Sequence, residues 1–273
     1  MPPAMLSIFV VLVLVVGSLA GTSPNNTRCL CTYGEPCWPT ADQFAELESQ
    51  VSQPLIYPVP TASACYPVND PSGNCTEVVQ DWTNGNWRSS MPGSMEAPNF
   101  ETFMFKNGTI GACYLNTSLG VPCEQGSVPV IGVDARTPQV IQAAISFALQ
   151  QVLKLVVKNT GHDFLGRSTA RGAFVIWTHN MKSITFDAQF TPRGAPANET
   201  YQAVIVGAGV QWYEAYDTVN QNGRMMVGGA SLGGSVGAGG GWLQGGGHSA
   251  LSPTYGLGTL KCEPVPILTL ILW

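Results

Sequence analysis

Charged residues are scarce in this chain. Asp, Glu, Lys and Arg together make up 11% of its 273 residues, and no basic cluster occurs anywhere. Without a Lys/Arg patch there is little to hold a phosphate backbone or an anionic lipid surface, so neither nucleic acid nor membrane is expected as a partner. Histidine is rarer still, limited to His162, His179 and His248. None of them has a second histidine or a carboxylate at ligand spacing, and the cysteines follow no zinc pattern, so no metal is expected. An apolar run of the ~20 residues that a membrane-spanning helix requires is also missing.

The residues that are present point to export. An apolar core, Met5 to Val16, is followed by the small-residue site Ser18-Leu19-Ala20, with no charged side chain before Arg28. Residues 1–20 are therefore read as a cleaved secretory signal peptide, with a signal anchor as the minor alternative. Sequons at Asn25, Asn74, Asn107, Asn116 and Asn198, and eight cysteines that all lie beyond residue 20, agree with a secreted, disulfide-bonded glycoprotein. Cys65 with Cys75 and Cys113 with Cys123 are plausible neighbouring pairs; spacing alone leaves the connectivity open.

The texture changes along the chain. Residues 21–127 are rich in Pro, Cys, Asn and Ser, with one helical stretch at Ala41–Val51, and read as an irregular, disulfide-stapled region. From residue 128 regular elements begin. "VPVIGVDA" reads as a strand. "RTPQVIQAAISFALQQ" reads as a helix with Thr137 as N-cap, Pro138 at its first position and an inner face of Ile141, Ala144, Ile145, Ala148 and Val152. "LKLVVK", "AFVIWTH", "AVIVGAGV" and "RMMVGG" read as strands, and Gln211–Gln221 as a helix closed by Asn222-Gly223. Strands mixed with crossover helices give an α+β or α/β layer fold. In "VIVGAGVQW" a dinucleotide fingerprint begins at Gly207 and Gly209, but Trp212 holds the third glycine position, so a plain strand-to-helix turn is the better reading.

Two glycine loops each carry a histidine. "NTGHDFLGRS" follows the "LVVK" strand, and eleven of the chain's 31 glycines fall within residues 228–247, just before His248. Glycine permits positive φ and close backbone approach, and successive N–H groups then make anion-binding concavities suited to a pyrophosphate. A flexible linker is the plain alternative for such a run. For His162, spacing leaves two roles open, a structural histidine or an imidazole bonded covalently to a cofactor.

Taken together, "VVKNTGHDFLGRSTARGAFVIWTHNMKSITF", "GAGGGWLQGGGHSALSPTYGLG" and "CLCTYGEPCWPTADQFAEL" resemble the secreted fungal type of berberine bridge enzyme-like, FAD-linked oxidoreductases of the vanillyl-alcohol oxidase superfamily. The resemblance spans roughly residues 28 to 258. It implies a PCMH-type FAD-binding domain of two α+β subdomains over residues 128–258, with FAD bonded through its 8α-methyl group to His162. It further implies that Asn159, Thr160, Gly161, Asp163, Gly166, Arg167 and Ser168 surround the cofactor. Ser235, Val236, Gly237, Gly240, Leu243, Gly246, Gly247 and His248 would line the flavin. The implied reaction is hydride transfer from an alcohol or activated C–H of a small-molecule substrate to the flavin, with oxygen as electron acceptor.

Two departures from the family pattern stand out. Where many relatives carry a second, cysteinyl flavin link, this chain has "GGASLGGSVG", so a single link through His162 is implied. After "YGLG" the segment 259–273, "TLKCEPVPILTLILW", does not resemble the family's continuation into a substrate domain. The FAD domain is accordingly expected to be incomplete, leaving as an alternative a truncated, catalytically inactive secreted glycoprotein. No catalytic residue is assigned.

Overall fold

The computed structural model describes residues 29–66, 73–196, 198–258, 262–263 and 268–271. The expected signal peptide, the sequon at Asn25 and most of the tail lie outside the described residues.

In chain order the elements are α1 (Ala41–Gln50), β1 (Leu55–Ile56), α2 (Cys75–Asp81), α3 (Gly85–Ser89), β2 (Phe103–Met104), β3 (Ile110–Gly111), β4 (Ile131–Asp134), α4 (Pro138–Gln150), β5 (Leu155–Lys158), β6 (Phe174–Trp177), β7 (Ile184–Phe190), β8 (Tyr201–Val206), α5 (Trp212–Gln221), α6 (Ser252–Tyr255), β9 (Cys262–Glu263) and β10 (Leu268–Ile271). They build two α+β layers. The first is a sheet of order β1-β4-β6-β5, in which β4, β6 and β5 run parallel and β1 is antiparallel. A parallel sheet is covered on its faces, which is why every residue of β4 and β6 is buried.

Helix α4 crosses from β4 to β5 and covers this sheet. Thr137 caps it by accepting from the Val140 N–H, and Pro138 sits in its first turn, as its sequence predicts. Its buried face differs from the predicted one: Val140, Ala144, Phe147 and Ala148 turn inward, while Ile145 is exposed and Val152 lies beyond the helix at φ 55°. The bulky Phe147 decides the rotation. It sits between Phe44 of α1 and Phe174 of β6, with ring centroids 5.4 and 5.9 Å away, and aromatic burial outweighs that of a single isoleucine.

The N-terminal region is disulfide-stapled, as expected, but it holds three helices where the sequence predicts one, and its β1 joins the first sheet. Cys31–Cys37, Cys65–Cys75 and Cys113–Cys123 are disulfides. Main-chain bonds from the Cys31 N–H to Val152 and from the Lys154 N–H to Cys31 tie this region to the start of β5. Each bridge limits the unfolded chain. Replacing Cys113 and Cys123 together by serine opens a loop of separation 10 and should lower stability by about 2–3 kcal/mol, read by urea denaturation.

The second layer is the antiparallel sheet β7-β8-β10-β9. Helix α5 packs on it through Trp212, Ala215 and Val219. The segment "RMMVGG" forms no strand: Gly228 and Gly229 lie flat against the Trp212 indole, where a β-carbon would meet ring atoms at 2.3 and 2.6 Å. Strand β7 was not legible as one. Conversely, the atypical tail supplies β10, whose Leu268–Ile271 pairs antiparallel with Val206–Ala203 of β8. No helix among the described residues is long and apolar enough to cross a membrane.

Candidate functional site

The carboxyl ends of parallel strands are where open sheets bind ligands. Here Asp134, Trp177 and Lys158 end β4, β6 and β5 in one register row, and the loop 159–168 leaves from that edge. Gly161 and Gly166 take φ of 92° and 53° in this loop, which no β-carbon would accept without strain. Gly161 is also pressed against the Ser94 carbonyl and Met95 backbone. Between these glycines Asp163 organises the loop itself. Its carboxylate accepts from the main-chain N–H groups of Leu165, Arg167 and Ser168, and from the Arg167 Nε at 3.1 Å. Burial alone would raise the Asp163 pKa, but the hydrogen bonds from Arg167 and Leu165 outweigh it and lower it. Arg167 is exposed, and Thr160 and Asn159 are buried.

The second glycine segment closes over this loop. Ser235 Oγ lies 2.8 Å from His162 Nε2, joining residues far apart in sequence. Ser235 is held by its carbonyl, which accepts from Gln211 Nε2 at 2.9 Å; the same amide reaches Ser89 and Asn86 of α3. The Val236 carbonyl accepts from the Trp212 N–H at 2.9 Å. Gly237 and Gly240 pack on the Asn159 amide, where a β-carbon would come within 2.2 and 2.3 Å of its Nδ2. Residues Ala238–Trp242 form a wide helical turn, in which the Trp242 N–H donates to the Gly237 carbonyl. Leu243 packs on the core around Trp212, and Gly246 and Gly247 take φ of 95° and 75°. His248 is exposed and tied by its carbonyl, which accepts from Trp242 Nε1 at 2.7 Å.

The structure thus brings His162, Asn159, Ser235, Gly237 and Gly240 together. Substituting Gly240 by alanine forces the new methyl against Asn159 and the Ala208 carbonyl, at an expected cost of about 1–3 kcal/mol in a denaturation experiment.

Sequence patterns did not reveal the groups beneath this surface. Lys158 is fully buried, donates to the Met91 carbonyl at 3.0 Å, and is pushed down to about 7 by burial, against the opposing pull of Glu96 and Glu101. Glu96, from the irregular region, lies 3.6 Å from His162 Nε2. Burial raises it to about 7 despite Arg88 and Lys158. His162 is pushed down to about 4, first by burial and then by Lys158, so its imidazole is neutral at physiological pH. Trp177 and His179 stack at 5.4 Å, and burial, then Lys182 and Lys158, lower His179 to about 3. Lys158, Trp177 and His179 had as their sequence signal only proximity to strand ends, and Glu96 had none. One metal-type grouping, Cys31, Glu35 and Cys37, has its two sulfurs joined in a disulfide.

The sequence model of the FAD binding domain matches residues 129–269, half of the chain. The chain belongs to the FAD-binding domain family. Among relatives of this family member, an uncharacterized FAD-linked oxidoreductase of Arthroderma benhamiae is 41% identical, over 87% of this chain and 40% of its own length. The VAO-type flavoprotein oxidase VAO615 of Thermothelomyces thermophilus is 34% identical over 89% of this chain and 41% of its own length. The crystal structure of VAO-type MtVAO615 from Myceliophthora thermophila superposes with a TM-score of 0.73, covering 86% of this chain and 41% of that one. The FAD-binding chain therefore spans about 40% of the length of these relatives.

The residues present fit FAD. A neutral imidazole is the form able to bond to carbon, and the two glycine loops, several of whose residues take positive φ, close on each other at Asn159, where β-carbons on Gly237 or Gly240 would collide with its amide. Asn159 Oδ1, a buried acceptor with no hydrogen-bond partner among the described residues, suits a ribityl hydroxyl. Trp177 Nε1, at the end of β6, is likewise buried without a partner there.

Proposed function

We propose that this chain is the FAD-holding part of a secreted oxidoreductase that takes a hydride from an alcohol or activated C–H of a small-molecule substrate and passes the electrons to oxygen. The observation that carries the reading is the neutral His162 imidazole set between the two glycine loops, 2.8 Å from Ser235. When bound, the flavin supplies a two-electron acceptor. The chain's own residues do the rest. His162 tethers the cofactor covalently, and no cysteine of the second segment adds another link. Asn159, Gly237 and Gly240 shape the floor, and Asp163 keeps the His162 loop in its turn. Export is supported by three disulfides and by the apolar N-terminal core with its small-residue site.

The test is to express the chain through a secretory route, precipitate it with acid and measure flavin in the pellet. Acid-stable flavin near one per chain supports the tether, and its reduction under anaerobic addition of an alcohol supports the oxidoreductase. Flavin that is held but reduced by none of a broad alcohol and sugar panel favours the second reading, a non-catalytic glycoprotein.

A further inference from the structure

We propose that Glu96 is the positioning residue of the flavin link: it holds the proton of His162 on Nε2, and accepts that proton as Nδ1 bonds to the cofactor. This rests on the tether reading above.

The geometry that carries it lies under the glycine loop. The Glu96 N–H donates to the carbonyl of Gly161, the residue immediately before His162, at 3.1 Å. The Glu96 backbone and the imidazole are thus fixed to the same turn. Its carboxyl faces Nε2, with Oε1 at 3.6 Å, just outside hydrogen-bond distance while Nε2 lies 2.8 Å from Ser235 Oγ; proton transfer requires this gap to close as the cofactor binds. That oxygen is buried and has no hydrogen-bond partner among the described residues, a costly state for a carboxyl unless a donor is supplied. The surrounding cations are engaged elsewhere. Arg88 of α3 gives its guanidinium to Glu101, Met95 and Trp82, and Lys158 of β5 gives its ammonium to Met91. Of the side-chain N–H groups near Glu96 Oε1, the imidazole Nε2 at 3.6 Å is the one that approaches it on the His162 loop.

Room for this contact is kept by Gly85. A β-carbon there would lie 2.5 Å from Ser235 Oγ and 2.9 Å from Glu96 Oε2. With Ser235 and Glu96 both on Nε2, Nδ1 is the nitrogen for attack. Were FAD bound, formation of the Nδ1–carbon bond would break one C–H bond at the 8α carbon, its proton leaving to water and its electron pair passing to the flavin. The Nε2 proton moves to Glu96, which prevents a buried imidazolium. Dioxygen then removes the two electrons. Net, one hydrogen from the imidazole and one from the 8α carbon leave as hydrogen peroxide.

Groups facing Glu96 are Arg88, Lys158, Glu101, His162 and Ser235. Since burial brings the Glu96 carboxyl to about 7, attachment should quicken as pH rises through that value. The experiment loads flavin-free full chain with FAD in air and follows acid-stable flavin against time and pH, alongside nitrogen NMR of His162. Glu96→Gln, which keeps an acceptor but cannot take the proton, should slow attachment about 100-fold and erase the pH step; Glu96→Asp should restore part of both; and the population of the Nε2–H tautomer should fall in Glu96→Leu, which offers no acceptor. Attachment at the wild-type rate with the same pH step in Glu96→Gln would overturn the proposal. If no acid-stable flavin forms even in the wild type but the tautomer still answers to Glu96→Leu, the tether reading fails and the positioning contact stands. If neither occurs, both fail.

Discussion

Arg88→Met should cost the fold about 3–5 kcal/mol, a large part of the stability of an ordinary domain. Arg88 and Glu101 are 1% and 7% exposed, and their charged atoms meet at 2.5 Å. The guanidinium also donates to the Met95 and Trp82 carbonyls and lies 4.6 Å from the Trp82 ring centre. Methionine keeps the volume but leaves the buried carboxylate only Lys158 as a counter-charge. Burial already raises Glu101, and Arg88 is the strongest force holding it down. Without Arg88 the folded carboxyl holds its proton to higher pH than the unfolded one, whose value is 4.5. The folded state then binds more protons, so the variant loses stability as pH rises and its deficit narrows towards pH 4.5. Urea melts at several pH values check both the size and the slope. A deficit below 1 kcal/mol, flat with pH, would mean that the pair is replaceable by packing alone.

His162→Ala should abolish acid-stable flavin altogether, from about one per chain to none, while the cradle still takes up FAD reversibly. The effect is complete because it depends on one bond. His162 has the two attributes a covalent anchor requires: a ring kept neutral by burial and by Lys158, and a place held by Ser235 at the mouth of a strained glycine turn. His248 offers the control. Its ring is exposed and only its carbonyl is tied down, so His248→Ala keeps acid-stable flavin. Absorbance of the precipitated and redissolved protein distinguishes the cases; equal flavin in wild type and His162→Ala would move the anchor elsewhere.

Much of this arrangement was legible before any coordinates. Strand β5 ends in a loop whose glycines announce positive φ, Thr137-Pro138 marks the start of α4, and Cys65 with Cys75 and Cys113 with Cys123 pair as neighbours do. The FAD-binding reading came from those same glycine motifs. What escaped has physical causes. Strand β7 alternates only half-buried and exposed side chains, too weak a signal against its polar surroundings. The face of α4 was set by Phe147 meeting Phe44, a contact with a residue of the irregular region. Glu96, Arg88 and Glu101 lie in short segments, Arg88 in the five-residue α3, with no hydrophobic period to mark them, and their importance arises from burial together with Lys158 of β5. Periodicity finds layers; it does not find charges that a distant strand covers.

The closure of Ser235 on His162 spans a sequence separation of 73, and this sets an order on biosynthesis. By the time Trp177 has emerged, all four strands of the first sheet are available to pair, and N-terminal units generally fold as they appear. The imidazole is then in place while its hydroxyl partner is still unmade. Cofactor capture by both segments would wait for the second glycine segment, so the yellow colour of the product would serve as a clock for the closure of Ser235 on His162, and chains stalled before residue 235 would leave the ribosome colourless.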